Sequence, residues 1–289
     1  MEGIIVMDSL YIDLEEQKFI NIEYHLMGYD PDLHKNRNHE GFEIIQTWSN
    51  EGYVLVKDRV YPMLEGAIYI INGIESHSTN PADIQRYTRS KITFSPSYLH
   101  KIIDLMGHPY LLDPFINNDN SNCMFVPPLD IRDEFDNIFD KITRESCANP
   151  AGASALISSC VVEMLTHIYR LGSLDDKSMV QHAFPHQNHI SSMIEYINAN
   201  LTKEFILDEM CDDLHLSKFY ACHIFKKVTK MTIMEYLIER RISEAKKLLS
   251  HTNKPISDIA MSTGFSSFSL FSRTFSKLTG CTPLEYRKR

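Results

Sequence analysis

The 289-residue sequence lacks the features that mark several large classes of protein. It contains no run of about 18 apolar residues, so we expect no membrane-spanning helix. Its first residues, MEGIIVMDSLYIDLEEQ, lack the basic region and apolar stretch of a signal peptide, which predicts a cytoplasmic protein. The six cysteines are scattered without a CxxC pair, which argues against a disulfide framework and against a zinc module.

The motifs of several common enzyme classes are also missing. The sequence has no P-loop, no Rossmann glycine fingerprint and no nucleophile motif. We therefore expect a protein that is not an enzyme, with no catalytic residues and no cofactor.

The formal net charge of −9 is divided unevenly along the chain. Residues 188–289 carry 15 Lys and Arg against 11 Asp and Glu, a net charge of +4. Residues 1–187 carry 14 against 27, a net charge of −13. An acidic part joined to a basic part indicates that only the C-terminal part meets a polyanion such as DNA.

The first 115 residues predict a β-domain, either a small barrel or a sandwich. They contain apolar and aromatic runs separated by Gly, Asn and Pro, which is typical of short strands at close spacing. The runs are GFEIIQTW (41–48), GYVLVKDRVYPM (52–63) and GAIYIING (66–73).

Residues 116–175 predict a helical region. Within residues 128–142 the helical period places five apolar side chains on one face, and residues 153–171 form a second, more apolar helix. The five are Ile131, Phe135, Ile138, Phe139 and Ile142. These helices either pack on the β-domain or form a dimer interface. Residues 176–188 lose the periodicity and predict a linker.

The remaining residues, 189–289, are helical in pattern and contain a glycine between two short helices. Gly264 can adopt a positive φ at little steric cost, which makes the sharp corner of a helix-turn-helix over about residues 256–279. Three phenylalanines are spaced to pack the turn and the inner face: Phe265, Phe271 and Phe275. Small hydroxyls and a guanidinium, which suit phosphates and base edges, fall on the open face: Ser266, Ser267, Ser269, Ser272 and Arg273.

A second copy of this pattern lies 50 residues earlier. Phe225, Lys227, Thr229, Thr232, Glu235 and Tyr236 are identical to Phe275, Lys277, Thr279, Thr282, Glu285 and Tyr286. This predicts another helix-turn-helix at about residues 206–228, joined to the first by a rigid helix over residues 234–250. Adjacent major grooves on one face of DNA recur about every 34 Å, so two such motifs on one chain need a stiff spacer.

Residues from about 190 to 289 resemble the DNA-binding domain of the AraC/XylS family of bacterial transcription regulators. The resemblance is carried by Ser217 to Lys227, YLIERRISEAKKLL (236–249), ISDIAMSTGF (256–265), FSRTFSKLTGCTP (271–283) and EYR (285–287). The first copy departs from the family pattern. Cys211 stands where alanine is usual, Ala221 where leucine is usual, and His215 and Lys230 where glycine is common.

The positions in the two motifs predict which side chains meet double-stranded DNA. In the first recognition helix the groove-facing candidates are Lys218, Phe219, Cys222, His223 and Lys226. In the second they are the four serines and Arg273 named above. Lys226, Lys227 and Lys277 are expected to contact phosphates, which gives affinity without sequence choice. Arg241 is expected to brace the spacer helix.

Residues 39–77, HEGFEIIQTW…EGYVLVKDRVYPMLEGAIYIINGIESH, are similar to the cupin-like barrel that many members of this family carry. In the family this barrel binds a small effector and the helices after it dimerise. The candidate effector-binding residues are His39, Glu43, Trp48, Tyr53, Tyr69 and His77. Three of them, His39, Glu43 and His77, are also potential metal ligands. The tight His-x-His pair of metal-binding cupins is missing, and we expect no metal.

The leading hypothesis is a sequence-specific DNA-binding transcription regulator of α+β fold that responds to an effector in its N-terminal barrel. Its expected partners are promoter DNA, a small-molecule effector, a second copy of the chain and RNA polymerase, and no membrane. Two alternatives stay open: a metal-dependent cupin enzyme fused to a DNA-binding module, and a ligand-independent regulator whose barrel only dimerises.

Overall fold

The computed structural model describes residues 10–13, 19–28, 41–56, 59–116, 123–173 and 187–288. The chain divides into two compact units, and apart from residues 58–60 the boundary between them falls at residues 184–185. The first unit has eight consecutive strands followed by helices with one further short strand, and the described elements of the second unit are helices, so the expected α+β class is confirmed. Within the described ranges, no helix combines the length and the apolar character needed to cross a bilayer.

The N-terminal unit contains two hydrogen-bonded sheets. The larger has the strand order β1-β2-β8-β3-β6-β9 and the smaller the order β5-β4-β7. The strands are β1 Leu10–Asp13, β2 Phe19–Met27, β3 Phe42–Thr47, β4 Gly52–Val56, β5 Arg59–Pro62, β6 Ile68–Asn72, β7 His77–Pro81, β8 Thr88–Phe94 and β9 Met124–Phe125. The apolar run 52–63 contains two strands, β4 and β5.

Five helical segments follow or flank the strands of this unit. They are α1 Pro96–Leu105, a 3-10 turn Pro109–Leu112, α2 Asp113–Ile116, α3 Leu129–Ala148 and α4 Ala153–Ser173. Sequence analysis predicted α3 and α4 but missed α1 and α2, which lie inside the region expected to be β-structure. Proline at the first position of α1 supplies a φ that suits a helix start.

The helices pack on one face of the larger sheet and form a single apolar core with it. The ring of Phe42 on β3 stacks on Phe115 of α2 with centroids 4.7 Å apart, and Phe94 of β8 meets both rings edge-on. Four of the five residues expected on the inner face of α3 are buried, and Ile131 is half-buried. The structure thus shows these helices packed on the β-domain.

The opposite face of the larger sheet carries charged side chains. Side chains alternate between the faces of a strand, so in β8 the residues Ser90, Ile92 and Phe94 lie on the helix side. Arg89 and Lys91 lie on the other side, which is also buried.

The C-terminal unit is a succession of seven helices in the described residues. They are α5 Gln187–Ala199, α6 Leu207–Asp213, α7 Lys218–Thr229, α8 Ile233–His251, α9 Ile256–Ser262, α10 Phe268–Thr279 and α11 Pro283–Arg287. Helices α6 and α9 have 7 residues each, and α7 and α10 have 12 each. Two helix pairs of equal size are thus joined by the 19-residue helix α8.

The two pairs share their local structure at an offset of 50 residues. A serine hydroxyl caps the second helix of each pair, a left-handed residue ends it, and a Thr–Glu capping box starts the next helix. An edge-to-face Phe–Tyr pair supports each motif, with centroids 5.4 and 5.5 Å apart. The matched residues are Ser217 and Ser267, Phe225 and Phe275, Lys230 and Gly280, Thr232 and Thr282, Glu235 and Glu285, and Tyr236 and Tyr286. The sequence repeat is therefore a repeat of structure.

Candidate nucleic-acid interface and effector site

The corner between α9 and α10 depends on the absence of a side chain at Gly264. Its φ is +86°, as the sequence predicted, and a Cβ there would lie 2.2 Å from the backbone oxygen of Leu201. Phe265, Phe271 and Phe275 are all buried around this corner, which confirms their expected inner position. The backbone at Gly264 therefore lies in direct contact with the backbone just after α5, and no side chain fits between them.

The same contact involves Arg241 of the joining helix α8. Its Nε donates to the Leu201 oxygen at 2.7 Å and its Nη2 to the Lys203 oxygen at 2.6 Å. A Cβ on Gly264 would also lie 2.8 Å from Arg241 Nε. Arg241 thus links the C-terminal end of α5, the joining helix and the corner of the second motif, which is the bracing role that the sequence predicted.

The first helix-turn-helix has residues with a Cβ at the two left-handed positions where the second has glycine. His215 in its corner has φ +54°, and Lys230 at the end of α7 has φ +61°. Its corner, residues 214–217 between α6 and α7, is one residue shorter than residues 263–267 between α9 and α10. The left-handed conformation costs a residue with a Cβ about 1–2 kcal/mol. The first motif therefore has the shape of the second with added backbone strain.

The predicted contact residues of α10 lie on its outer face. Ser266, Ser269 and Arg273 are exposed and Ser272 is half-buried. Ser267 is exposed too, but its hydroxyl accepts the backbone N–H of Leu270 at 3.3 Å and so caps the helix. Arg273 thus presents a guanidinium, whose five donors suit a guanine edge or a phosphate.

The outer face of α7 exposes different side chains from the outer face of α10. Phe219, Cys222, His223, Lys226 and Lys227 are all exposed. Lys218 Nζ lies 2.8 Å from the Asp208 carboxylate of α6, and this hydrogen bond raises the pKa of Lys218. Lys277 on α10 is exposed at the position that matches Lys227, 50 residues away. The three lysines expected to meet phosphates are thus open to solvent.

In the N-terminal unit, five ionisable groups form a continuous buried row. Glu23 accepts from Arg89 Nε at 2.9 Å and from Lys91 Nζ at 2.9 Å. Lys91 Nζ lies 3.7 Å from Glu43, whose other oxygen lies 3.5 Å from His77 Nε2. The row therefore alternates Arg or Lys with Glu across β8, β2 and β3 and ends at the His77 imidazole on β7.

Polar neighbours orient this row. Thr93 Oγ1 donates to Glu43 at 3.1 Å, and His77 Nδ1 donates to the backbone oxygen of Glu75 at 2.9 Å. Burial alone would lower the pKa of Lys91, but the Glu43 and Glu23 carboxylates outweigh burial, and the net effect raises it. Lys91 is therefore held as a cation between two carboxylates. Removing one partner of such a buried pair typically costs about 3–5 kcal/mol of stability.

The structure brings together only two of the residues predicted for effector binding, Glu43 and His77. Tyr69 lies on the same sheet face as Glu43, but its hydroxyl donates to the Pro62 oxygen and accepts from Leu64 N. Trp48 lies on the helix side, where its Nε1 donates to Ser90. Tyr53 pairs in register with Asn80, which places it on the opposite face of β4 from Val54 and Val56. His39 lies outside the described residues.

Sequence reasoning missed Glu23, Arg89, Lys91 and Thr93, which complete the buried row. The signal available was the alternation of TRSKITF in β8, with polar residues at every second position. Such a pattern normally indicates a solvent-exposed face, so the pattern alone would have placed these side chains outside. Among the described residues, no group of three His, Cys, Asp or Glu side chains is arranged to hold a metal ion.

The geometry defines a class of protein: a β-rich unit with a buried polar row, followed by a helical unit with two helix-turn-helix motifs. Comparison with known proteins agrees in both parts. Residues 19–161 match the family model of the AraC-like ligand-binding domain, and residues 210–289 match a helix-turn-helix domain model. The chain belongs to the AraC/XylS family and is a transcription regulator with an N-terminal ligand-binding domain and a C-terminal DNA-binding domain.

Individual relatives cover nearly the whole chain at low identity. The transcriptional activator RhaR of Escherichia coli is 25% identical over 259 residues, which are 90% of this chain and 89% of RhaR. RhaR of Mannheimia succiniciproducens is 24% identical over 261 residues, with the same coverage. The solved C-terminal domain of the response regulator yesN from Fusobacterium nucleatum is 31% identical, covers 35% of this chain and 98% of that domain, and has a TM-score of 0.33.

Proposed function

We propose that this regulator recognises a specific DNA sequence with both motifs, α7 and α10 each entering a major groove on the same face of the duplex. The observation that carries the proposal is the repeated helix pair, with matched caps and cores, held by α8 and the Arg241 contacts. Helices of this kind place their N-terminal residues against base edges. Because promoter DNA lies in the bacterial cytoplasm, we expect the protein to act there.

A single substitution in α10 tests whether this helix recognises bases. Arg273→Ala should weaken binding to a selected site by about 1–3 kcal/mol if the guanidinium contacts a base edge. Binding to random DNA should weaken much less. The matched control is Lys277→Ala, which should weaken both DNAs similarly because a phosphate contact carries no sequence choice. Equal losses on both DNAs for Arg273→Ala would show that Arg273 contacts only phosphate.

We also infer that a small effector binds in the N-terminal unit against the buried row that includes Glu43, Lys91 and His77. The row supplies cationic and anionic groups side by side, so it can both donate to and accept from a small polar ligand. Effector binding would shift the population of DNA-binding conformations. The RhaR relatives are named as transcriptional activators, which supports activation as the output. RNA polymerase and a second copy of the chain are the further partners that we propose.

Thermal unfolding with a panel of sugars, amino acids and carboxylic acids tests the effector proposal. A compound that binds the folded state raises the melting temperature by mass action. The shift should be lost in Glu43→Gln, which removes the charge but keeps the size, and retained in Glu51→Gln, where the side chain is exposed. A shift that survives in Glu43→Gln would place the ligand elsewhere. The absence of any shift would favour the ligand-independent regulator.

A further inference from the structure

The first turn of α7 exposes an aromatic side chain that the fold does not use. Phe219 is 84% exposed, the most exposed aromatic residue in the part of the chain that the structure describes. Its ring lies nearly parallel to that of His223 one turn later, at 11° and 6.1 Å between centroids. A phenyl ring left in water does not gain the favourable free energy of burying its apolar surface.

The side chains beside Phe219 are engaged within the motif. Lys218 lies against Asp208 of α6, and the hydroxyl of Tyr220 lies 2.9 Å from His189 Nδ1 of α5. Phe219, in contrast, projects from the motif into solvent, and its apolar ring makes no polar contact with the neighbouring helices. This turn is the part of a recognition helix that contacts base edges.

The repeat gives a direct comparison with the second motif. Counting from the capping serines Ser217 and Ser267, Phe219 corresponds to Ser269 and His223 to Arg273. The second recognition helix thus carries a hydroxyl and a guanidinium where the first carries two stacked rings. The two helices cannot recognise the same base pattern, because hydrogen-bonding groups and an apolar ring select different edges.

From this contrast, and resting on the proposed DNA recognition, we propose that Phe219 selects a thymine in the element bound by α7. A phenyl ring has no hydrogen-bond donor or acceptor. Among the four bases, only thymine presents an apolar group in the major groove, its C5-methyl. The site should therefore be asymmetric, with a thymine-dependent element under α7 and a hydrogen-bonded element under α10.

Replacing thymine by uracil in the duplex removes only that methyl group and tests the proposal. Full-length protein first selects its site from random duplexes. Each thymine of the selected site is then replaced singly by deoxyuridine, and affinities are measured at fixed salt for the unmodified protein and for Phe219→Ala. The element under each helix is assigned from the positions where Arg273→Ala or His223→Ala relaxes base preference.

One thymine in the α7 element should show the effect. Its replacement by uracil should lower the affinity of the unmodified protein about four-fold, the value for losing one buried methylene-sized group. Phe219→Ala should bind the thymine and uracil duplexes equally, so the two changes act through one contact. Ser269→Ala and Leu284→Ala should keep the four-fold difference; Leu284 is an exposed apolar residue outside both recognition helices.

Several outcomes would contradict the thymine proposal and leave the proposed DNA recognition intact. One is a selected site in which no thymine under α7 is sensitive to uracil. Another is a Phe219→Ala variant that keeps the difference, or that loses only transcription activation and so marks a protein contact. If no site is selected at all, the proposed DNA recognition fails as well. Because Phe219 is exposed, its replacement should leave circular dichroism and binding of the α10 element unchanged.

Discussion

At the scale of single residues, Gly264 combines two reasons for a glycine: a left-handed backbone and a close contact with its neighbours. Its φ of +86° would strain any residue with a Cβ, and its contacts with Leu201 and Arg241 leave no room for one. Gly280 also has a positive φ, +73°, but a Cβ there would meet nothing within 4 Å. Substitutions at these two glycines therefore distinguish the cost of left-handed backbone strain from the cost of a steric clash.

Gly264→Ala should destabilise the C-terminal unit by about 2–5 kcal/mol, from left-handed strain together with overpacking. Gly280→Ala should cost only the strain, about 1 kcal/mol. Urea unfolding followed by circular dichroism measures both. The single tryptophan, Trp48, lies in the N-terminal unit, so its fluorescence transition should not move. Equal costs for the two substitutions would show that the close approach is not what excludes a side chain at Gly264.

Lys230 holds the position that Gly280 holds in the second motif, with φ +61°. Lys230→Gly should therefore stabilise the protein by up to about 1 kcal/mol, because glycine adopts this conformation without a steric penalty. Lys230→Ala removes the charge but keeps the Cβ, and it should give no such gain. A gain from alanine equal to that from glycine would mean that charge, not backbone strain, limits the first motif.

At the scale of elements, each helix after a recognition helix begins with a reciprocal Thr–Glu pair. In α8, Glu235 N donates to Thr232 Oγ1 at 3.2 Å, and Thr232 N donates to the Glu235 carboxylate at 2.8 Å. The backbone hydrogen bond from Thr232, and then the one from its hydroxyl, lower the pKa of Glu235. The carboxylate therefore stabilises the start of the joining helix in its charged form.

This lowered pKa predicts a pH dependence with a definite sign. The stabilisation is complete above the unfolded pKa of about 4.5 and is lost as pH falls through the lower pKa of the folded state. Glu235→Gln should thus be less stable than the unmodified protein at pH 7, and the difference should shrink below about pH 4.5. Thr232→Ala should cost about 0.5–2 kcal/mol at pH 7. A Glu235→Gln difference that is constant from pH 7 to pH 3 would contradict the capping role.

The elements also show where sequence could and could not predict structure. The helical spacing of apolar residues located the C-terminal helices, and the glycine between two short helices located the corner at Gly264. Both signals are local, because spacing and backbone preference determine these elements. The helix α1 was missed although Ser95-Pro96 is a helix-start signal, because a single residue separates this helix from the end of β8. The buried row was missed because burial of Arg89 and Lys91 depends on Glu23, a partner more than 60 residues away in sequence.

At the scale of the whole molecule, charge and polarity separate the two activities. The acidic N-terminal part keeps its row of ion pairs out of water, while the basic C-terminal part exposes its cations on the outer faces of α7 and α10. The 19 residues of α8 span about 28 Å at 1.5 Å per residue, close to the repeat of the major groove. The joining helix is therefore of the length scale that the proposed two-helix recognition needs.

Selection of bound sequences from random duplex DNA by the full-length protein at physiological salt tests the central claim most directly. We predict one enriched motif with two dissimilar elements whose centres lie about one helical turn, roughly 10 base pairs, apart. Arg273→Ala should remove base preference from one element and leave the other intact. A motif with a single element, two elements with no fixed spacing, or no enriched motif would contradict recognition by two rigidly joined helices.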